Sequence, residues 1–393
     1  MIERSKCMNV PEIRFNDSLS EWSKKNFLSE VSIYSGLTYS PNDIRTQGTL
    51  VLRSSNVQEG NVSLNDNVYV NSFIVNSPNV QKGDIIIVVR NGSQSLIGKH
   101  AIIKQEMPNT VIGAFMTGLH CKNNSNFINA LLSSTKFKKE IYKNLGATIN
   151  QITNKTLTSM EFMFPKENDM YNIGCFFEKL DSLIQTISKK LASLKQIKAA
   201  SLQSMFPQEG ETVPKVRFKG FKGEWDNDFI SNVCKITTGK SNSQDQVKNG
   251  LYPFFIRSEN IARSNKYLYD CEAVITIGDG NIGRVFHYIN GKFDLHQRCY
   301  MMRNFRNVSA LYFYYYFSAF FYDRAIKMSA KATVDSVRLN MIADMNILYP
   351  KNKLEQQKIA SYFCNLDKQI SLQTQRLEKL KQIKAACLDK MFV

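Results

Sequence analysis

Lys195-Gln196-Ile197-Lys198-Ala199-Ala200 returns unchanged as Lys381-Gln382-Ile383-Lys384-Ala385-Ala386. Each copy sits in a long helical pattern. In the first, Leu180, Ile184, Ile187, Leu191 and Leu194 step alternately by four and three, the a/d spacing that lays one apolar seam along a helix. The second repeats the seam with Phe363, Leu366, Ile370, Leu377 and Leu380. A polar Gln373 stands at one a/d position, where such a residue sets register at some cost in stability. Two matching seams in one chain are expected to pack on each other.

Working outward, a sparser repeat precedes each helix. Val10-Pro11, Ile13-Arg14-Phe15, Glu21-Trp22 and Gly36 recur as Val213-Pro214, Val216-Arg217-Phe218, Glu224-Trp225 and Gly239, every pair with the same spacing. Both tryptophans belong to this feature, which is expected to seat the first segment of each domain in the same kind of pocket. Arg53-Ser54 and Asn56 then answer to Arg257-Ser258 and Asn260, Ile97-Gly98 to Ile282-Gly283, Ala147-Thr148 to Ala332-Thr333, and Pro165 to Pro350. Between these landmarks the copies share almost nothing, as expected of similar scaffolds doing one kind of job on different targets.

The runs Asp84 to Val89 and Ala273 to Ile277 read as buried strands, each followed by a Gly-rich turn and another strand. Helical pieces are expected at Asn126 to Lys143 and at Ala310 to Met328. The second carries the aromatic run Tyr312 to Phe317, which reads as core. The order is domain, helix, domain, helix, with only Pro207 to Thr212 between the first helix and the second domain. The helices are therefore expected to run antiparallel with one domain at each end. A helix from Gly174 to Met205 makes a rod of roughly 48 Å, longer than the roughly 34 Å of one DNA turn.

A chain of 393 residues is too long for one ordinary core. Its formal net charge of +17 favours a polyanionic partner, nucleic acid before a membrane surface. There is no run of about 18 apolar residues and no signal-peptide core, so a soluble cytoplasmic protein is expected. The eight cysteines are scattered without a Cys-x-x-Cys pair, which argues for reduced thiols and against structural zinc.

Gly278-Asp279-Gly280-Asn281-Ile282-Gly283 fits the dinucleotide-binding pattern, but a strand and turn follow where that fold opens a helix. Gly98-Lys99-His100 has histidine where a phosphate loop needs Ser or Thr. The four histidines form no metal-ligand pair, and neither a nucleophile elbow nor an Asn-Pro-Pro-aromatic methylation motif occurs. The chain reads as a binder without catalytic residues. For duplex DNA the best contact candidates are polar residues at repeat-equivalent turns: Arg53 and Asn56 with Arg257 and Asn260, Lys99 with Arg284, and Thr148, Asn150 and Gln151 with Lys331 and Thr333. Arg90, Arg298, Lys104 and Arg263 are further candidates.

The pattern resembles the specificity subunit of type I restriction-modification systems across nearly the whole chain. The carrying residues are Val213-Pro214, Arg217-Phe218 and Trp225, then Pro350, Leu354-Glu355-Gln356-Gln357-Lys358-Ile359-Ala360, Leu366-Asp367, Leu377 to Ala386, and Met391-Phe392. The first copy departs from the helix-start motif with Asn168 to Ile173, and Leu180-Asp181 with Lys195 to Ala200 restore the match. The resemblance implies a mixed α/β chain with no active site of its own. Two β-rich target recognition domains, 1–166 and 213–350, are joined by two long antiparallel coiled-coil segments, 167–212 and 351–393. Each domain would read one half of a bipartite DNA sequence, with the helices setting the unread spacer. Two modification subunits would bring S-adenosylmethionine for adenine N6 methylation, and two restriction subunits would add magnesium- and ATP-dependent translocation and cleavage. The alternatives left open are a stand-alone DNA-binding or architectural protein and, resting on Gly278 to Gly283, a nucleotide-dependent oxidoreductase.

Overall fold

A computed structural model describes residues 9–15, 21–145, 150–329 and 336–393. The chain divides into two compact units, Met1–Ser188 with Gln375–Val393, and Lys189–Thr374. The division cuts both long helices, so each unit combines a β-rich body with one part of each helix.

In the first unit, strand Ser23–Asn26 pairs antiparallel with Glu161–Phe164. Strands Val31–Ser35, Met116–Cys121, Ile85–Val88 and His100–Ile102 lie side by side in that order, all antiparallel. A second sheet orders Thr110–Ile112, Thr49–Leu52, Val68–Val70 and Ile44–Arg45. Periodicity alone predicts one helix over Asn126 to Lys143. The structure has α1 (Ser125–Ser133) and α2 (Thr135–Asn144), broken at Ser134. The buried Ser134 hydroxyl donates to the Leu131 carbonyl at 2.6 Å and accepts from the Phe137 N–H at 3.3 Å, ending one helix and capping the next. Both helices turn an apolar face inward, Phe127, Leu131 and Leu132 from α1 and Phe137 and Ile141 from α2. Helix α3 (Asn154–Ser159) precedes the strand Glu161–Phe164, and α4 (Glu167–Ser204) follows it. Helix α4 starts seven residues before the expected Gly174, in the turn after Pro165, with Glu167 and Asp169 where the helix dipole favours acids.

The second unit repeats the plan. Asp226–Phe229 pairs with Asn346–Tyr349. Helix α5 (Ile230–Val233) leads into a sheet ordered Lys235–Thr238, Cys299–Arg303, Tyr269–Ile277, Phe286–Leu295, Tyr252–Phe255 and Ala262–Ser264. Its first four strands stand in the order of the corresponding sheet of the first unit. Strand Phe286–Leu295 runs straight through Gly291, where a turn was expected. Helix α6 (Ala310–Ser329) occupies the place of α1 and α2, α7 (Leu339–Ala343) that of α3, and α8 (Lys353–Lys390) follows. Tyr312, Phe313, Tyr315, Tyr316 and Phe317 of α6 are buried, so the aromatic run is core.

The repeated landmarks do the same work in both units. Trp22 packs on Phe127 and Phe392, and Trp225 on Tyr312 and Phe206. Each such burial stabilises by roughly 1.5–3 kcal/mol. A Cβ at Gly36 would stand 2.1 Å from the Gly113 carbonyl oxygen, and one at Gly239 2.2 Å from that of Leu295. Only glycine lets those backbones meet.

The seam residues Leu180, Ile187, Leu191, Leu194, Phe363, Leu366 and Leu377 are buried with Gln373, while Ile184, Ile370 and Leu380 are half-buried. The repeated hexapeptide has a further purpose. Lys384 of its second copy reaches Asp181 at 2.5 Å in the first unit, and Lys198 of its first copy reaches Asp367 at 2.5 Å in the second. Each Leu-Asp pair thus takes the lysine of the opposite copy. Within each unit the helix segments run antiparallel: Asp181 faces Lys384 where Phe177 faces Phe392, and Lys198 faces Asp367 where Ser201 meets Tyr362.

The helix-start motif is also explained. Arg217 donates from Nε and Nη2 to the two oxygens of buried Glu355 at 2.6 and 2.8 Å. Buried Gln356 donates to the carbonyls of Asn307 and Pro350 and accepts from the Ser309 N–H, tying α8 to the start of α6. In the first unit buried Met170 packs in the hydrophobic core instead.

Cys121, Cys175, Cys234, Cys271, Cys299, Cys364 and Cys387 are free. Burial pushes the Cys121, Cys234 and Cys299 thiols up to about 12, which leaves them unreactive. Among the described residues no helix is long and apolar enough to cross a membrane, and no group of three or more His, Cys, Asp or Glu is gathered for a metal ion. The Gly278 to Gly283 turn joins two antiparallel strands and not a strand to a helix, which removes the geometry a dinucleotide site needs.

Candidate nucleic-acid interface

Three loop segments converge in each unit. In the first, the turn Ser54–Asn56, the turn after Ile85–Val88 and the segment 150–151 are bonded together. Asn91 Nδ2 donates to Ser54 Oγ at 3.2 Å, and Asn150 Nδ2 to the Gly92 carbonyl at 3.1 Å. Arg90 bridges Gln151 antiparallel, and the Ile152 N–H donates to the Val89 carbonyl. In the second unit Arg257 Nη1 donates to Asp279 Oδ2 at 3.1 Å, Asp279 bridges Ser336 antiparallel, and the Val337 N–H donates to the Gly278 carbonyl. Loops at repeat-equivalent positions thus converge within each unit.

At equivalent places the chemistry differs. Arg90 of the first unit lies over the half-exposed ring of Phe115, 5.1 Å from its centroid. The second unit has Asp279 where the first has Arg90, and Arg298 where the first has Phe115: the Gly278 N–H donates to the Arg298 carbonyl as the Val89 N–H does to that of Phe115. Arg298 Nη1 donates to Asp279 Oδ2 at 2.8 Å. Burial alone would raise the Asp279 carboxyl, but the hydrogen bond from Arg298 and the charge of Arg257 hold it below its ordinary value.

Arg53 is half-buried and pairs with Asp66 at 2.9 Å. Asn56 is a correction: it is wholly buried, accepts from the Arg53 N–H and donates to the carbonyls of Ser63 and Asp66, so its side chain builds the turn and has no face for DNA. Arg263 is likewise spent on the carbonyls of Gly250 and Leu251. Arg257, Asn260, Arg298 and Arg90 are exposed, and Asn150 and Gln151 half-buried in the cluster. Lys99 and Arg284 are exposed. Arg284 stacks on Tyr322 of α6, 4.4 Å from the ring centroid. Lys104 is exposed and donates to Asn61. Thr148, Lys331 and Thr333 lie outside the described residues.

Reading for basic and amide residues misses Asp279, Phe115, Ser54 and Asn91. The first carried a signal, being the one charged residue in the Gly-rich turn. The four histidines are held by neighbours: His100 by Gly98 and Ser133, His120 by Asp84 at 2.9 Å, His287 by Ser258, and His296 by Ser243.

Comparison with known proteins agrees with this architecture. Residues 20–196 and 222–382 both match the family model for the type I restriction modification DNA specificity domain. The chain is 26% identical over 160 residues to the type I restriction enzyme EcoDI specificity subunit of Escherichia coli, covering 41% of this chain and 35% of that protein. It is also 26% identical over 185 residues to the StySPI specificity subunit of Salmonella potsdam, covering 45% of this chain and 39% of that protein. The matches thus span well under half the length of these relatives. The crystal structure of a type I restriction-modification system S subunit from M. genitalium superposes with a TM-score of 0.72 at 15% identity, covering 98% of this chain and 99% of that one, a likeness of fold. With two matched regions that take in both of its units and most of both long helices, the chain belongs to the type I restriction modification DNA specificity family.

Proposed function

We propose that this chain is the DNA-reading, non-catalytic subunit of a type I restriction-modification complex, each of its two domains reading one half of an asymmetric, bipartite target in duplex DNA. The observation that carries this is one scaffold written twice with different chemistry at the same loop positions, Arg90 with Phe115 against Asp279 with Arg298. Two readers with unlike side chains at equivalent places recognise unlike half-sites. The recognition domains comprise residues 1–166 and 213–350, and the segments 167–212 and 351–393 set the spacer left unread. The net charge of +17 supplies attraction for the phosphate backbone.

Arg53, Arg90, Asn150, Gln151, Arg257, Asn260 and Arg298 contact the duplex from the loop clusters. Lys99 and Arg284 neutralise phosphates beside them, and Thr148, Lys331 and Thr333 are further DNA contacts. Two modification subunits dock on this chain and bring S-adenosylmethionine, methylating adenine N6 on a base flipped from the stack. Two restriction subunits bring the ATP- and magnesium-dependent steps. The test is the adenine methylome of cells expressing this chain with its modification subunit, against cells lacking this chain. One bipartite, asymmetric motif is expected. A soluble complex that adds no methylation would overturn the reading in favour of a stand-alone duplex binder.

A further inference from the structure

Asp279 is an anion placed within a cationic reading surface, where a phosphate would be repelled. It receives Nη1 of Arg257 at 3.1 Å and Nη1 of Arg298 at 2.8 Å on the same oxygen, Oδ2. The carboxylate is mostly buried, its side chain 19% exposed, whereas Arg257 and Arg298 are 45% and 63% exposed. The backbone beneath it is stitched on both sides. The Gly278 N–H donates to the Arg298 carbonyl and the Gly278 carbonyl accepts from the Val337 N–H, both at 2.7 Å. A Cβ at Gly278 would stand 2.6 Å from the Arg298 oxygen, so the two strands meet there only through glycine. The second loop is held as well, the Arg298 N–H donating to His296 Nδ1 at 3.1 Å and His296 Nε2 facing Ser243 Oγ at 3.3 Å.

Two guanidinium groups brought this close repel each other unless an anion lies between them. Asp279 supplies that anion while using one nitrogen of each fork. The other guanidinium N–H groups of both arginines make no hydrogen bond among the described residues. We propose that Asp279 is a positioning residue that fixes Arg257 and Arg298 as a pair of forks for guanine edges in the half-site read by the second unit, an inference that rests on the reading of that unit as a DNA reader. An arginine fork matches guanine O6 and N7, and holding it in advance favours the one base it fits over the phosphates that any free arginine would take. The first unit has Arg90 at this place and Arg53 turned to Asp66, so the clamp belongs to one half-site alone.

The test compares the wild-type chain with Asp279→Asn and Arg298→Lys, each co-expressed with the modification subunit. Adenine methylation across the genome gives the motif, and binding of each purified complex to a duplex of scrambled sequence gives non-specific affinity. For Asp279→Asn, guanine positions in one half should become degenerate, with methylation of substituted sites rising about tenfold relative to the cognate site. The other half should be unchanged, and scrambled-duplex affinity equal or up to a few-fold higher, because a negative charge is gone. Arg298→Lys keeps the charge and loses the fork, so it should blur the same half at unchanged non-specific affinity, and it carries the test if Asp279→Asn does not assemble. The clamp is overturned if both halves stay sharp, if both blur, if only A·T positions blur, or if Asp279→Asn loses motif and scrambled-duplex binding together, the mark of a structural role. A wild-type complex that methylates no motif refutes the DNA-reading function itself, and the clamp with it.

Discussion

Replacing Arg217 by methionine should destabilise the second unit more than any surface substitution of the same size. Glu355 is 1% exposed and Arg217 17%, and the pair is bidentate, with Arg217 Nη1 also donating to the Gly223 carbonyl at 2.6 Å. Breaking a buried pair by removing one partner typically costs about 3–5 kcal/mol, because the remaining charge has no compensation. Glu355 lies in the first turn of α8, where the helix dipole returns up to about 1–2 kcal/mol. A net loss of about 3 kcal/mol is expected, and at roughly 2–4 °C per kcal/mol for a unit of this size the midpoint should fall by roughly 6–12 °C. Thermal unfolding followed by Trp225 fluorescence, in a Trp22→Phe background, reports on this unit. Arg217→Met with Glu355→Leu should recover most of the loss, since an apolar pair of similar volume replaces a buried ion pair at little cost. A single variant within about 1 kcal/mol of wild type, or a double variant no better than the single, would refute the reasoning.

Phe392→Ala should cost about 3–5 kcal/mol in the first unit by emptying the space between Trp22, Phe127 and Phe177, read as faster hydrogen exchange there than in the second unit. Lys198→Met should lose about 1.5–3 kcal/mol with the half-buried bond to Asp367; the exchange Lys198→Asp with Asp367→Lys should restore part of it, and a double variant worse than both singles would show that geometry outweighs charge. His100, His287 and His296 are held below the ordinary histidine value of 6.5, burial being the main cause at each. The unfolded chain therefore binds more protons as pH falls below 6.5, so the stabilisation is complete above that value and lost beneath it. Unfolding midpoints should fall between pH 7.5 and pH 5.5, and identical midpoints would show that these rings titrate normally.

The seam and the aromatic core of α6 were legible because burial along a helix writes itself as a period of three to four residues. The break at Ser134 was not, since a serine that caps one helix while ending another looks from sequence like any polar helix residue. The short strands Ile44–Arg45 and Val68–Val70 carry too few residues for an alternation to show. In the candidate site, the repeat located the loops that converge, but not which side chains face outward. Asn56 and Asn260 occupy the same place in the repeat, yet one is buried in its own turn and the other exposed. Charge complementarity to DNA argues against an acid such as Asp279, whose value lies in the two arginines beside it. The Lys-Asp bonds were half legible: both residues stood in repeated motifs, but which copy answers which is a matter of the antiparallel register.

Because the first unit takes in Gln375–Val393 while the second is the continuous stretch Lys189–Thr374, the order of synthesis and the order of completion are reversed. On the ribosome the second unit has its whole sequence before the first has its last helical segment. Domains made early usually fold early. Here Trp22 packs on Phe392, so the core of the amino-terminal unit lacks one of its rings until residue 392 has been made. A chain truncated after residue 374 has every residue of the second unit but lacks the segment that packs against Trp22 in the first.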